Sequence, residues 1–511
     1  MKALATRLDF LFRSTRGLTL VAIAVVSLIT ALFGMLSGPM AEWGVRDVVV
    51  RALGMKLVQA EREGRIIMIY HTIANTVIAI EVYFITQLVR IKRYEQTIIN
   101  GTVTAGYLSA AIFGLLFVYW GHHFVFHGLF LLGESLMFFA GILLAIALWP
   151  WKREYLLPPT SPYARTRQGI DLERVAFFTM TVATLVSAAF GAVTGSYWGN
   201  GHETFLAEDL IRIPHKTDLQ QAIIGHLHIM LTLIAIAITL IVGRWKDFKG
   251  LLHRIAMPLM ISGTIVITAG ALSVVWLEWA HTIIYFGSVF VMLAALMYVI
   301  YAWDLLIKEG TQDLRKPTLG QKLRALLRDP LRFGPGWQMV FMNFTVSGVG
   351  IFMAVKLDEI FRVWPHREER IILTGHWHIL SGLIATIILM YYAHLSGLQG
   401  KARQWFGWLL ILLSDLAFGS VTIFSMKRLF VSEANQQNLV NWTMLLADFG
   451  LAAVLLILAI FLIWRLSDLF REQGVWRREL REEKRLLAEL ELREQEQKAK
   501  ELKAILKEAS K

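Results

Sequence analysis

Apolar residues gather into twelve long runs separated by short polar stretches, and this alternation is the dominant pattern of the chain. The runs cover approximately residues 17–37, 65–89, 102–121, 124–149, 174–195, 219–243, 254–278, 281–306, 337–357, 369–393, 403–425 and 439–466. Each is about 20 residues or longer, enough for a helix rising about 1.5 Å per residue to cross the hydrocarbon of a bilayer. The pattern predicts an all-α polytopic membrane protein with twelve transmembrane helices within residues 1–468. It breaks at 469–511, where Glu, Lys, Arg, Ala and Leu predominate and only Leu480, Leu487 and Leu490 form a short apolar seam. That stretch predicts a charged cytoplasmic helix, either solvated all round or docked on a partner.

Composition supports the membrane reading. The 511 residues are 56% hydrophobic and 18% charged, with mean hydropathy +0.54, outside the range of soluble domains. The net charge of +12 is distributed by loop. Arg90, Lys92 and Arg93, then Lys152, Arg153, Arg165 and Arg167, then Arg244, Lys246, Lys249 and Arg254 fall in every second loop, and Arg315 to Arg332 and Lys401–Arg403 continue the series. By the positive-inside rule these loops and both termini are cytoplasmic. The basic charge therefore reports orientation in a lipid bilayer and implies no nucleic acid. The chain has no cysteine, which excludes disulfides, thiolate-bound metal, iron–sulfur clusters and covalently attached c-type haem within it. The basic segment Met1–Arg16 and the long run after it are read as a retained first helix.

The runs also repeat. The segment IRIPHKTDLQQAIIGHLH ends at His228 and FRVWPHREERIILTGHWH at His378; both carry Arg, Pro-His with a basic residue, and Gly-His-x-His at a helix start. A fainter copy, RIIMIYHTIANTVIAI, surrounds His71, preceded by GMLSG at Gly34 much as GAVTG at Gly191 precedes the second copy. Twelve helices thus read as three pseudo-equivalent arcs of four, over about 17–150, 174–307 and 337–468.

Five histidines mark these copies: His71, then His226 and His228, then His376 and His378. Imidazole inside a membrane helix is costly without a partner, so repeated placement at one depth points to function. In His-x-His the two rings lie about 200° apart around the helix, so one helix can serve two sites. The glycine before the first histidine leaves room for a bulky planar group. Two neutral imidazoles give a six-coordinate electron-transfer haem, and one imidazole with an open position a reactive haem. A second cluster, His122, His123 and His127, stands at the outer end of the third run; with His71, His122 and His123 supply three nitrogens suited to one metal.

The order His71, His122-His123, His226-x-His228 resembles the catalytic subunit of the haem-copper oxidase superfamily, which includes the nitric oxide reductases. The resemblance implies a respiratory oxidoreductase of the cytoplasmic (inner) membrane with two b-type haems and a non-haem metal, copper or iron, toward the outer face. It implies electron donation from quinol or cytochrome c, companion subunits, and reduction of a small gas, NO or O2. In the family the block occupies helices 6, 7 and 10, with a low-spin haem ligand on helix 2; here it falls on helices 2, 3 and 6, as though rotated by one arc. Rotated, His228 and either His376 or His378 hold the low-spin haem, His226 the high-spin haem, and His71, His122 and His123 the metal. Unrotated, His71 and His378 share the low-spin haem and His376 binds the other, but helix 7 lacks a His-His pair. The chain is then a bis-histidine cytochrome relaying electrons between a quinol and an external cytochrome. A transporter with repeated helices is the reading outside this chemistry.

Other candidates are Arg212 and Arg362, before the Pro-His steps, and Lys427-Arg428 as partners of haem propionates, with interfacial anchoring the alternative. Glu81, Glu134, Asp415 and Asp448 are intramembrane carboxyls suited to proton transfer or to packing. Tyr119, one turn before His122, joins His226 and Glu134 as a catalytic candidate, although its place departs from that of the oxidases' cross-linked tyrosine. Asn75, one turn after His71, stands where the nitric oxide reductases resemble one another in having a glutamate.

Overall fold

The computed structural model describes residues 9–37, 44–57, 62–121, 123–197, 218–277, 279–361, 363–486, 488–489 and 492. The apolar runs become helices α1 (Leu18–Gly34), α2 (Arg62–Leu88), α3 (Arg93–Trp120), α4 (Phe124–Leu148), α5 (Leu172–Tyr197) and α6 (Asp218–Trp245). The series continues with α7 (Leu251–Ser273), α8 (Ala280–Thr311), α9 (Pro330–Val355), α10 (His366–Leu395), α11 (Gly400–Met426) and α12 (Glu433–Phe470). Among the described residues eleven are long and apolar enough to cross a membrane; α1, with 17 residues, is a shorter apolar helix. The only extended pairing among the described residues is an isolated bridge between Arg165 and Asp171. The protein is an all-helical, multi-pass membrane protein. Three features have no counterpart in the apolar pattern: a short helix Val45–Ala52 before α2, a short helix Leu319–Leu327 between α8 and α9, and wider π turns in the ninth segment at Met342–Gly348 and Leu357–Phe361.

The same neighbours recur around the molecule. The first helix of each group of four packs on the second and third: α1 on α2 and α3, α5 on α6 and α7, α9 on α10 and α11. The third and fourth form hairpins, α3/α4, α7/α8 and α11/α12, and the groups join through α4/α5, α8/α9 and α12/α1. Lipid tails offer no hydrophobic gain for helix association, so close backbone approach at small residues must supply it. Each hairpin has such a residue. A Cβ added at Gly133 would collide with the backbone of Ala110, one at Gly287 would come 2.9 Å from Ile267 N, and one at Gly450 2.7 Å from Leu413 O. Inside, α6 touches both α2 and α10.

The joint between α12 and α1 is the one with no connecting loop, and the two ends of the chain clasp it. Arg465, fully buried, donates to Asp468 (2.8 Å) and to the carbonyl of Arg16, while Asp468 caps Val475 N at the start of a helix over 475–486. That helix lies on the N-terminal segment. Trp476 stacks on Phe10 (6.2 Å) and fills the notch at Gly17, Ser14 donates to Glu479 (2.9 Å), and Arg13 (2.8 Å) and Arg93 both pair with Glu483. The described part of the charged tail is therefore docked on the chain itself. Both ends of the described chain share one face with the basic loops, termed here the basic face.

Candidate functional site

The five histidines lie at matched depths. His71, His228 and His378 each precede the last residue of their helix by 17 residues, and His226 and His376 by 19. At about 1.5 Å per residue they sit roughly 26–29 Å from the basic face, in the far part of a hydrocarbon core about 30 Å thick.

His226 is the most firmly positioned. Its Nδ1 bonds the carbonyl of Ser187 on α5 (2.9 Å), and its ring lies over Gly191, where a Cβ would stand 2.5 Å from Cε1. The glycine of GAVTG is the notch that admits the imidazole. On α2, Nδ1 of His71 bonds the carbonyl of Ile67 one turn back (2.9 Å). Because a carbonyl only accepts, Nδ1 carries the proton in both rings and Nε2 keeps its lone pair for a metal. The two rings lie within electrostatic range of each other, and His71 within range of Glu134. Glu134 projects from α4, where its carboxylate accepts a bond from Asn75 Nδ2 (2.6 Å). His71, Asn75, Glu134 and His226 thus gather where α2, α4, α5 and α6 meet.

The α6/α10 side differs. Trp377, the middle residue of His-Trp-His, lies edge-on to His228 (centroids 5.3 Å) and against His376 (5.4 Å). His376 also approaches Gly350 of α9, where a Cβ would stand 3.7 Å from Cδ2, an echo of His226 over Gly191. His378 is exposed at its place on α10.

The glycine of Gly-His-x-His does not reserve space for a planar group. A Cβ at Gly225 would come 2.6 Å from the carbonyl of Ala271 on α7, and one at Gly375 2.5 Å from Ser425 Oγ on α11. Both glycines serve helix packing, and both do it against the third helix of their own group.

Other candidates are placed apart from the cluster. His123 caps α4, its Nδ1 accepting from Val125 N (3.2 Å) and its ring on Phe126 (5.1 Å). The level of His71 is marked by its neighbour Thr72, whose Oγ1 would stand 3.0 Å from a Cβ added at Gly114; His123 lies nine residues beyond that glycine, about 10 Å further along α3 and the turn. The structure does not set His123 beside His71, and His122 lies outside the described residues. Among the described residues no three His, Cys, Asp or Glu side chains converge as a metal site. Tyr119 is buried, and its hydroxyl donates to the carbonyl of Phe33 (2.7 Å), tying α3 to α1. Arg212 and Arg362 also lie outside the described residues. Lys427 pairs with Glu368 and so joins the end of α11 to the start of α10. Asp415 accepts from Trp337 (2.6 Å) and Gln338 (3.0 Å), which ties α9 to α11.

Ser187 and Trp377 are the functional neighbours that sequence reading missed. Nothing in the sequence signals Ser187, whose carbonyl (2.9 Å) and hydroxyl (3.4 Å) both face His226 Nδ1; Trp377 was visible as the central residue of the repeated motif. No protein-family model, curated protein or solved structure matches the chain.

Proposed function

We propose that the chain is a membrane haem oxidoreductase whose reactive site lies between His226 and His71, with Glu134 in place of the third nitrogen donor. The single observation that carries this reading is the bond that holds Glu134 on Asn75, one turn from His71, with His226 on the adjoining helix α6 and both imidazoles having Nδ1 committed to a carbonyl. The donor set fits the groups: two imidazole Nε2 atoms and a carboxylate suit haem iron and a neighbouring non-haem iron or copper. Asn75 stands where the resembled nitric oxide reductases carry a glutamate, and its amide holds Glu134 at that place from another helix. The departure in sequence is thereby made good in space, which favours the gas-reducing reading over the relay.

In this reading His226 would hold the reactive haem iron and His71 and Glu134 the non-haem metal, and the two metals would supply electrons and charge stabilisation for reduction of a small gas. The chain's own part is placement. Ser187 and Gly191 fix the plane of the His226 ring, Asn75 aims the Glu134 carboxylate, and the apolar surroundings strengthen the pull between the charges. His228 and His376 would be the ligands of the low-spin b-type haem, and in this structure the Trp377 indole packs against both rings. Quinol or a cytochrome is the donor, through a companion subunit where the donor is soluble. By the positive-inside rule the basic face is cytoplasmic and the histidine cluster lies toward the outer face of the inner membrane.

Haem and metal quantification on the purified protein, followed by carbon monoxide on the reduced protein, tests the reading. Two b-type haems, one non-haem metal and a shifted Soret band are expected. Two haems without a shift would leave the bis-histidine relay, and no haem absorbance would sink both. Glu134→Gln should release the non-haem metal and retain both haems.

A further inference from the structure

The connection between α8 and α9 lies on the basic face and carries a helix that the bundle only partly covers. Arg315 and Lys316 follow the end of α8 at Thr311, then comes the short helix Leu319–Leu327, and Arg328 and Asp329 lead into α9. Thr318 and Gln321 form a capping box that fixes where the short helix begins. Ala325 packs it on α8, since a Cβ added at Gly310 would stand 2.5 Å from the Ala325 Cβ, and Leu326 adds a half-buried contact with the core.

At about 100° per residue this helix has three faces. Ala325 and Leu326 turn to the bundle. Leu319, Leu323 and Leu327 form a second stripe roughly 110° away, and all three are exposed. Gln321, Arg324 and Arg328 make the third face, also exposed. Two unlike faces beside one protein contact are the pattern of a helix lying in a membrane interface, with leucine toward the acyl chains and charge toward water. The depth agrees with this. Gly310 is six residues beyond Asp304, the first carboxylate of α8, so the short helix lies about 9 Å past the point where α8 leaves the hydrocarbon. A helix radius of about 5–6 Å brings its near side into a headgroup layer about 5–8 Å thick.

The charge around the helix is one-sided. Arg315, Lys316, Lys322, Arg324 and Arg328 are exposed against a single acid of the same connection, Asp313. Neighbouring carboxylates are already taken: Asp304 by Lys308 (2.7 Å), Glu309 by Arg332 (2.6 Å) and Asp329 by Arg403 (2.9 Å). Among the described residues none of the five cations has an ion-pair partner.

We propose that this helix is a docking surface for anionic phospholipid, its leucines at the acyl boundary and its five cations on the headgroups of the leaflet that borders the basic face. Zwitterionic lipid has no net charge with which to balance five unpaired cations; an anionic leaflet has, and by the positive-inside rule the leaflet here is the cytoplasmic one, whose surface potential is negative. The surface lies across the membrane from the histidine cluster and is independent of the haem reading.

A chain without cysteine makes the test direct. Leu323→Cys and Gln321→Cys are each spin-labelled in the full-length protein, reconstituted either in phosphatidylcholine or in an equal mixture of phosphatidylcholine and phosphatidylglycerol. Power saturation with oxygen and with a neutral nickel chelate then reads access from lipid and from water. In the anionic mixture the label at 323 should be open to oxygen, with nickel access at least about threefold lower than in phosphatidylcholine alone, while the label at 321 stays open to nickel in both. Lys322→Gln, Arg324→Gln and Arg328→Gln together should abolish the difference at 323, and high salt should diminish it. Equal nickel access at 323 in the two lipids would overturn the proposal, and protection from both reagents would assign the leucines to a protein partner or a second copy of the chain instead.

Discussion

The first and second groups of helices share their packing and differ in what they bury. Between α2 and α3 the buried positions are Thr76, Tyr83, Thr86, Asn100, Thr104 and Tyr107. Counting 155 residues on from α2, the interval that separates His71 from His226, the same stripe of α6 reads Leu231, Ile238 and Ile241, and the facing core of α7 includes Met257 and Met260. One backbone arrangement thus carries hydroxyls paired between helices in one copy and mainly apolar contacts in the next, where the buried Thr264 and Thr268 bond within α7. Apolar side chains make an adequate helix interface in lipid, and interhelical hydrogen bonds there add only about 0.6 kcal/mol on average. Packing alone therefore does not call for the paired hydroxyls.

The largest expected effect comes from filling the notch that seats His226. Gly191→Leu places side-chain atoms where the imidazole ring lies, and should remove the Soret contribution of the haem assigned to His226. Overpacking of this kind also costs about 1–3 kcal/mol of stability. Gly128→Leu on α4, where no atom lies within 4 Å of the added Cβ, is the matched control and should leave both spectrum and stability unchanged. Equal spectra for the two variants would separate His226 from haem binding.

Next in size is the clasp that closes the ring between α12 and α1. Arg465→Met removes a fully buried guanidinium and leaves Asp468 without its partner. Breaking one side of a buried pair costs about 3–5 kcal/mol, so the midpoint of thermal unfolding should fall by several degrees. Limited proteolysis should then cut near residue 471, where the tail helix leaves α12. The double change of Arg465→Met with Asp468→Leu should recover much of the loss; a midpoint as low as that of the single variant would show that the clasp holds through other contacts.

The membrane runs and the depth of the histidines were legible because bilayer thickness imposes a length on every helix and position in a run fixes depth. The site was legible only in part. His226 and His71 could be named as candidates, yet the groups that orient them, the carbonyl of Ser187 and the carbonyl of Ile67, have no signature in sequence. The glycine of Gly-His-x-His was misleading, since a small residue next to a histidine has the same appearance whether it admits a cofactor or a neighbouring helix. Asn75 read as a departure until α4 was seen to bring Glu134 against it, a contact across 59 residues. For the charged tail, docking and solvation both stood open, because Trp476, Glu479 and Glu483 lie on a helix whose apolar seam is too short to mark a buried face.

The two copies can be compared directly by matched substitutions. Tyr83→Phe removes one phenol hydroxyl and leaves Thr104 Oγ1 with only its bond to the carbonyl of Asn100, a loss of about 1 kcal/mol. Ile238→Val at the counterpart position should cost about 0.5–1.5 kcal/mol through lost packing. Thermal unfolding of the two variants reads the comparison: equal losses would show that one interhelical hydroxyl pair and one methyl group contribute alike to the two interfaces, and no loss in Tyr83→Phe would show that the phenol bond adds nothing to its own.

The smallest effect sharpens the comparison where the first group meets the C-terminal helix, and two carboxyls there respond to pH in opposite directions. Burial opposes ionisation of Asp9, but bonds from Arg13, Thr97 and Arg93 outweigh it and hold its carboxyl below the ordinary range. Its contribution to stability is therefore present above the unfolded value of about 4 and disappears as pH falls through the lower folded value. Glu479 is raised, so its ionisation on raising the pH costs stability that Glu479→Gln avoids. Between about pH 4 and 7 Asp9→Asn should be slightly less stable than the native chain and Glu479→Gln equal or slightly more stable, each by about 1 kcal/mol or less. Thermal unfolding of the two variants across that range, with release of the 475–486 helix followed by proteolysis, reads both signs. A Glu479→Gln protein that loses stability as Asp9→Asn does would mean that the ionised glutamate, and not its bond from Ser14, holds the 475–486 helix in place.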